Sequence, residues 1–145
     1  MHIETLVHDH ANDAFDTHRS KTAVWTGRVL STLAILFLTL DGVAKLLLVQ
    51  PVIAGSQELG YPPSTVLPMG VILLLCVMAY AIPRTSVMGA LLLTGYLGGA
   101  VATHFRVGNP LFTHTLFPIY FACFIWGGLL LRDARLRVLL PGARR

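Results

Sequence analysis

The stretch RVLSTLAILFLTLDGVAKLLLV, residues 28–49, is apolar over almost its whole length, yet it contains two opposite charges, Asp41 and Lys45. A helix of about 20 mostly apolar residues is long enough to cross the roughly 30 Å hydrocarbon layer of a bilayer. The rest of the chain has the same character, because 54% of its 145 residues are hydrophobic and only 12% are charged. A typical soluble domain has about 25% charged residues, so the composition indicates a membrane protein.

Four segments are apolar enough to span a membrane, at about residues 24–49, 66–82, 87–103 and 112–131. The last three show none of the polar stripes with which a soluble helix meets water. The first is not a cleavable signal, because a polar segment precedes it and its apolar run is too long for one. The sequence therefore predicts an all-α fold, a bundle of four transmembrane helices.

The charged residues divide the chain and suggest its orientation. We expect a polar, flexible cytoplasmic head at residues 1–23, a transmembrane domain at 24–131 and a basic cytoplasmic tail at 132–145. Lysine and arginine occur in the head, in the tail and, as Arg84, between spans two and three, whereas the other two loops hold only Arg106. Since positive residues favour the cytoplasmic side, both termini should be cytoplasmic.

The net charge of +4 follows from this distribution, so no nucleic-acid partner is predicted. The lipid bilayer is the expected partner, with anionic head groups beside the basic tail.

Asp41 and Lys45 lie four residues apart, on one face of a helix, where they can pair. A charge at the centre of a membrane helix costs about 2.5–3.5 kcal/mol on insertion scales. Charges kept there usually face the bundle interior or a water-filled cavity. We therefore expect both side chains to point inwards.

Further polar residues reach the same outer half of the bundle from the other spans. The hypothesis of a ligand pocket there assigns to it Asp41, Lys45, Tyr96, Thr103, His104 and Arg106. In this pocket Lys45 and Arg106 would hold an anionic or carbonyl oxygen, while Asp41 and His104 would exchange protons.

A structural interpretation of the same residues stays open. Asp41 and Lys45 could form an ion pair that only helps the span to insert, and His104 and Arg106 could be hydrated interface residues. For Tyr96, packing between helices is favoured over a hydrogen bond to a ligand. Glu58 and His114, at the same end, are expected to be interface residues.

Gly95 and Gly99 have the GxxxG spacing that lets membrane helices approach closely. We expect them to pack inside the bundle rather than to form a dimer, so Gly99→Leu should impair folding. Cys76 and Cys123 should lie at similar depth in mid-membrane, and they lack the spacing of a redox pair.

Neither a haem nor a metal site is predicted. No histidine lies near mid-membrane, where facing imidazoles would hold a haem. The head contains His2, His8, His10 and His18 among aspartates, but their spacing fits no closed metal site.

Three motifs together resemble the DoxX-like family of small four-helix bacterial membrane proteins, over roughly residues 24–141. They are Asp41-Gly42-x-x-Lys45, Ile82-Pro83-Arg84-Thr85, and GYLGGA at 95–100 continuing to Thr103, His104 and Arg106. The resemblance implies a four-helix membrane bundle in the bacterial inner membrane. Relatives in the wider family are linked to thiosulfate and quinone oxidoreduction, or to thiol and oxidative stress responses in membrane complexes, which makes a quinone the candidate cofactor.

Two classes of function follow. In the first, the protein is a small-molecule-binding or redox-associated membrane subunit, acting with a quinone or a thiol or sulfur compound. In the second, it catalyses nothing and serves as a scaffold or assembly partner for another membrane protein, or as a small transporter-like protein that would form a homo-oligomer. Whether the chain is an enzyme is left open.

Overall fold

The computed structural model describes residues 21–133 and Leu136. Its helices are α1 Lys21–Leu46, α2 Gln50–Glu58, α3 Val66–Ala81, α4 Ser86–Val107 and α5 Phe117–Arg132. A 3-10 turn at Pro63–Thr65 leads into α3, and a π-helical turn at Leu111–Thr115 leads into α5. The predicted head, apart from its last three residues, and nearly all of the predicted tail lie outside the described residues, so the histidines of the head do too.

The four long helices, with their leading turns, can each cross a membrane. The candidate spans are Lys21–Leu46, Pro63–Ala81, Ser86–Val107 and Leu111–Arg132. No more than 33% of the most apolar window of any span is buried inside the protein, so most of the apolar surface faces outwards, as contact with lipid requires. The described residues contain no strand, and the predicted all-α bundle of four spans is confirmed.

The chain runs up and down through the bundle. Helix α1 packs against α3 and α5, and α4 packs against the same two helices, so the long helices form a closed ring in sequence order. The first turns of α1 and the last turn of α5 therefore lie at one end of the bundle. The shared core contains seven residues with no exposed surface, namely Ala34, Leu73, Tyr80, Ala90, Leu93, Ile125 and Leu129.

The first helix begins and ends about three residues earlier than the sequence predicts. It stops at Leu46 because Leu48 adopts a left-handed conformation, with φ 50°. The amides of Leu48 and Val49 then donate to the carbonyls of Lys45 and Ala44, which closes the helix as a C-terminal cap does. Pro51 lies in the first turn of α2, a short helix that the sequence analysis did not predict.

At one end of the bundle the helices touch backbone to backbone. We call this the packed end, formed by the start of α1, the end of α3, the start of α4 and the end of α5. A Cβ atom on Gly27 would lie 2.9 Å from the carbonyl oxygen of Gly128, and one on Gly89 would overlap the backbone of Tyr80. Only residues without a side chain permit such close helix contacts.

The glycines predicted to make this contact do not make it. A Cβ atom on Gly95 or Gly99 would meet no atom within 4 Å. The expectation that these two glycines pack inside the bundle is therefore wrong. They lie in the middle and the second half of α4, where the bundle opens into a cavity instead of closing on a neighbouring helix.

Candidate ligand-binding cavity

Opposite the packed end, the bundle forms a half-open cavity of about 730 Å³. Its walls are the second half of α1, the first turns of α3, the second half of α4 and the start of α5, while α2 contributes residues from outside the ring. Cavities of roughly 300–1,000 Å³ are typical of small-molecule sites. We call this region the cavity end.

The lining contains both polar side chains and aromatic or aliphatic ones. Its polar side chains are Asp41, Lys45, Ser56, Glu58, Tyr61, Tyr96, Thr103, His104, Asn109 and His114. Its larger apolar side chains are Phe37, Leu38, Val52, Leu59, Met69, Ile72, Leu97, Phe117 and Phe121. A molecule with a polar head and an apolar body would find partners for both.

Asp41 and Lys45 form an ion pair on the cavity wall. The ammonium Nζ of Lys45 donates to both carboxylate oxygens of Asp41. The side chain of Lys45 is 12% exposed and that of Asp41 is 34% exposed. Both residues line the cavity, so the pair faces inwards, as their spacing on the helix predicts. The pair is neither packed in the core nor fully in water, which leaves it accessible to a molecule in the cavity.

Two glycines set the position of this pair. A Cβ atom on Gly70 of α3 would lie 2.7 Å from the Cβ of Lys45, and one on Gly42 of α1 would lie equally close to Leu74. The missing side chains let α1 and α3 approach at this level, so the stem of Lys45 lies directly on the α3 backbone. The motif Asp41-Gly42-x-x-Lys45 thus joins a close helix contact to a charged pair.

The end of α4 holds His104 through a helix cap. Gly108 adopts a left-handed conformation, with φ 77°, which glycine reaches without steric cost. The chain then turns back so that the backbone amide of Asn109 donates to the carbonyl of His104 at 3.1 Å. The side-chain amide of Asn109 lies 2.9 Å from Nδ1 of the same histidine, and this contact orients the ring.

A second imidazole lies beside the first. The ring centres of His104 and His114 are 6.1 Å apart, and both side chains line the cavity. His114 is exposed and its Nδ1 lies 2.8 Å from the hydroxyl of Thr113. The more exposed ring of His114 and the partly buried ring of His104 therefore lie side by side in the cavity lining.

The cavity is covered by a segment that we call the cap, α2 together with residues 59–61. Two side chains of α4, Thr103 and Arg106, form hydrogen bonds to it. Thr103 uses its single hydroxyl proton to bond the carbonyl of Gly99 at 2.9 Å, so the Tyr61 hydroxyl, 2.8 Å away, must be the donor to Thr103. Arg106 donates to the carbonyl of Leu59 at 2.9 Å.

An aromatic wall closes the cavity on the side of α1 and α5. The rings of Phe37 and Phe121 stack with centres 4.3 Å apart, and Phe117 meets both edge-on at 5.6 and 5.1 Å. Phe37 precedes Asp41 by four residues and Phe117 precedes Phe121 by four, so each pair shares a helix face. This spacing was available in the sequence and could have identified the wall.

Five of the six residues assigned to the pocket line this cavity, namely Asp41, Lys45, Tyr96, Thr103 and His104. Arg106 does not belong to the lining and binds the cap instead. Glu58 and His114, which were expected to be interface residues, do line it. Asn109 and Tyr61 also belong to the site, and no sequence motif pointed to either.

Within the described part of the chain, no three histidine, cysteine, aspartate or glutamate side chains are grouped to hold a metal ion. Cys76 is buried in α3, whereas Cys123 is exposed on α5, and both are free thiols. Groups that could hold an organic cofactor are therefore the hydrogen-bonding and aromatic side chains of the cavity.

Comparison with known proteins gives one match. The sequence profile of the DoxX-like family matches residues 29–128, a range that contains every residue of the cavity lining. No match was found among curated proteins or among solved structures.

Proposed function

The chain belongs to the DoxX-like family, and we propose that this integral membrane protein binds a small amphipathic molecule in the cavity between its four spans. The observation that carries the proposal is a cavity of about 730 Å³ whose lining contains both an ion pair and three phenylalanine rings. A bundle that only had to fold and insert would gain more from filling this volume with side chains.

The cost of the ion pair supports the same conclusion. Replacing a buried ion pair by apolar side chains of similar volume is often neutral or stabilising. Asp41 and Lys45 are therefore a poor means of holding α1 in a membrane. Because both face an open cavity, a role in binding accounts for their presence better than a role in stability.

A quinone is our first candidate for the bound molecule, and a thiol or sulfur compound is the second. A quinone ring would lie near the aromatic wall, and its carbonyl oxygens would accept hydrogen bonds from Lys45 or Tyr96. Asp41 and His104 would exchange protons with it. In such a redox-associated role the chain would supply binding and proton exchange, and a membrane partner would exchange the electrons.

We further propose that the packed end faces the cytoplasm and the cavity end faces outwards, in a bacterial inner membrane. Arg28, Arg84 and Arg132 flank the packed end, whereas Arg106 lies at the cavity end. The positive-inside rule favours this orientation, which also puts both termini on the cytoplasmic side.

The test is to identify what the protein carries. Wild type, Asp41→Asn and Asp133→Asn would be purified in mild detergent and extracted, and their bound molecules compared by mass spectrometry, with quinones examined first. Asp133 makes a matched control, because it undergoes the same carboxylate-to-amide change outside the cavity lining. We expect one molecule shared by wild type and Asp133→Asn and reduced at least about tenfold in Asp41→Asn, since hydrogen bonds to charged groups contribute roughly 1.5–3 kcal/mol.

Helical circular dichroism of all three proteins would show that the bundle remains folded. Equal contents in the three samples, or only bulk lipid in each, would contradict the proposal. The second function, a scaffold for another membrane protein, would then be favoured, and co-purification of a protein insensitive to Asp41→Asn would support it.

A further inference from the structure

We propose that the cavity selects a molecule whose head group is uncharged and discriminates against anions. The inference rests on the proposed function, because it specifies which molecule the same cavity binds. It follows from three features of the lining, which are its sum of charges, the pairing of its lysine and the position of Arg106.

The lining carries more negative than positive charge. Apart from histidines, its acidic and basic residues are Asp41, Glu58 and Lys45, so two carboxylates face one ammonium group. Glu58 is an exposed residue of the lining, so its charge is screened more than that of the partly buried Asp41. The electrostatic field of the lining therefore opposes a negative ligand.

The single lysine of the lining is already paired. Its Nζ contacts both carboxylate oxygens of Asp41, and its side chain is only 12% exposed. To bind Lys45, an anion would have to displace the carboxylate of Asp41. Otherwise the anion would lose its own hydration and find no unpaired cation in exchange. Both are unfavourable for a charge in a poorly hydrated site.

Arg106 does not change this balance. The sequence suggested it as a second cation for an anionic oxygen, but its guanidinium donates to the carbonyl of Leu59 in the cap. The lining on the described residues consequently contains no cation other than Lys45. A site for a sulfur oxyanion would need such a group.

An uncharged head group finds suitable partners in the same place. An ammonium group has three protons, so Lys45 keeps one after two contacts with Asp41. Together with the hydroxyl of Tyr96, it can donate to a carbonyl, ether or hydroxyl oxygen, and the carboxylate of Asp41 can accept from a hydroxyl or amide. The aromatic wall then takes the apolar part of the molecule.

The experiment compares two probes with the same apolar part and planar head groups of similar size, the uncharged 4-octylbenzamide and the anionic 4-octylbenzoate. Binding at neutral pH would be measured by equilibrium dialysis against the full-length protein in nanodiscs of zwitterionic lipid, with empty nanodiscs as the control for partitioning. We expect the amide to bind at least about tenfold more tightly than the carboxylate, because like charges at a binding site are strongly unfavourable.

Asp41→Asn should reverse this preference, because it leaves Lys45 without its counter-charge. Glu58→Gln should reduce the preference by a smaller factor, since Glu58 is exposed. A purely structural ion pair would not produce such a reversal, and helical circular dichroism would show that both variants are folded.

The outcomes separate the two proposals. Equal or tighter binding of 4-octylbenzoate by the wild type would overturn the selectivity for an uncharged head group while leaving a binding function in place. Binding of neither probe above the empty nanodiscs would overturn the proposed function and, with it, the inference that rests on it.

Discussion

The packed end and the α4 wall of the cavity use glycine in opposite ways, although Gly42 and Gly70 also let α1 and α3 approach closely at the cavity end. At the packed end, Gly27, Gly89 and Gly128 lie against neighbouring backbones, where any Cβ atom would collide. At the cavity end, Gly95 and Gly99 have no neighbour within 4 Å of a Cβ atom. The comparison teaches that a small residue in a membrane helix can serve contact or open space, and that sequence spacing alone does not distinguish the two.

Polar side chains differ between the ends in the same way. At the packed end, the hydroxyl of Tyr80 donates its proton to the carbonyl of Ile125 at 2.9 Å. The same hydroxyl therefore accepts a hydrogen bond from the hydroxyl of Ser31 at 2.9 Å. This buried chain of hydrogen bonds is complete within the protein. At the cavity end, Asp41 and Lys45 face an open volume. Stability therefore resides mainly at the packed end, and we propose that binding resides at the other.

The largest expected effect is at Gly89. Gly89→Leu places a side chain into the backbone of Tyr80, where α3 and α4 cannot separate without opening the bundle. Overpacking a core costs about 1–3 kcal/mol and sometimes more. The new side chain would collide with backbone atoms, which cannot move aside as a side chain can. We expect little or no monodisperse protein by size-exclusion chromatography in detergent. A yield and melting temperature equal to wild type would show that the packed end is not tightly closed.

Gly99→Leu is the matched substitution at the cavity end. Both variants replace a glycine of α4 by leucine, so both gain the same helix propensity, up to about 1 kcal/mol. We expect normal folding and at least about a tenfold loss of the bound molecule, because the leucine occupies part of the ligand volume. Misfolding of this variant would restore the original expectation that Gly99 makes a helix contact.

A smaller effect is expected from two tyrosines. Tyr80→Phe removes the link between Ser31 and Ile125 and leaves a buried hydroxyl unpaired, which costs about 1–3 kcal/mol. Tyr61→Phe removes a part-buried bond to Thr103 and should cost about 0.5–1.5 kcal/mol, the usual net value of one hydrogen bond. Thermal unfolding followed by circular dichroism would measure both, and a larger loss for Tyr61→Phe would invert the comparison.

The smallest effect on stability is expected for Arg106→Gln. The bond from Arg106 to Leu59 is exposed, and exposed substitutions usually change stability by less than about 0.5 kcal/mol. The variant should release the bound molecule faster, since one of the two fastenings of the cap is lost, while the preference for an uncharged head group stays as in wild type. Loss of all binding would instead make Arg106 a ligand-binding residue, as the sequence suggested.

Much of the architecture was predictable because it depends on short-range properties of the chain. The apolar length of each span is a local quantity, and the described helices end within about four residues of the predicted positions. The inward orientation of Asp41 and Lys45 was also predictable, because the same four-residue spacing that lets them pair also places them on one face. The short helix α2 was missed, since nine residues of moderate polarity resemble a loop, although Pro51 marked its start.

The details of the candidate site depended on long-range contacts. Whether Arg106 faces the cavity or the cap is decided by where residues 59–61 return to α4, which no local pattern specifies. The roles of Asn109 and Tyr61 likewise depend on turns that bring them to His104 and Thr103. His114 joined the lining because the π-helical turn before α5 places it beside His104.

The order of residues alone implies four membrane-spanning helices and an inward-facing charged pair on the first, because lipid requires continuous apolar helices and makes an outward-facing charge costly. Which glycines touch a neighbouring helix, where the bundle opens and which polar groups surround the opening depend on the packing of the whole bundle. These outcomes depend on how the four helices fit together along their whole length, and the close contact of Gly89 with Tyr80 at one end is matched by open space beside Gly99 at the other.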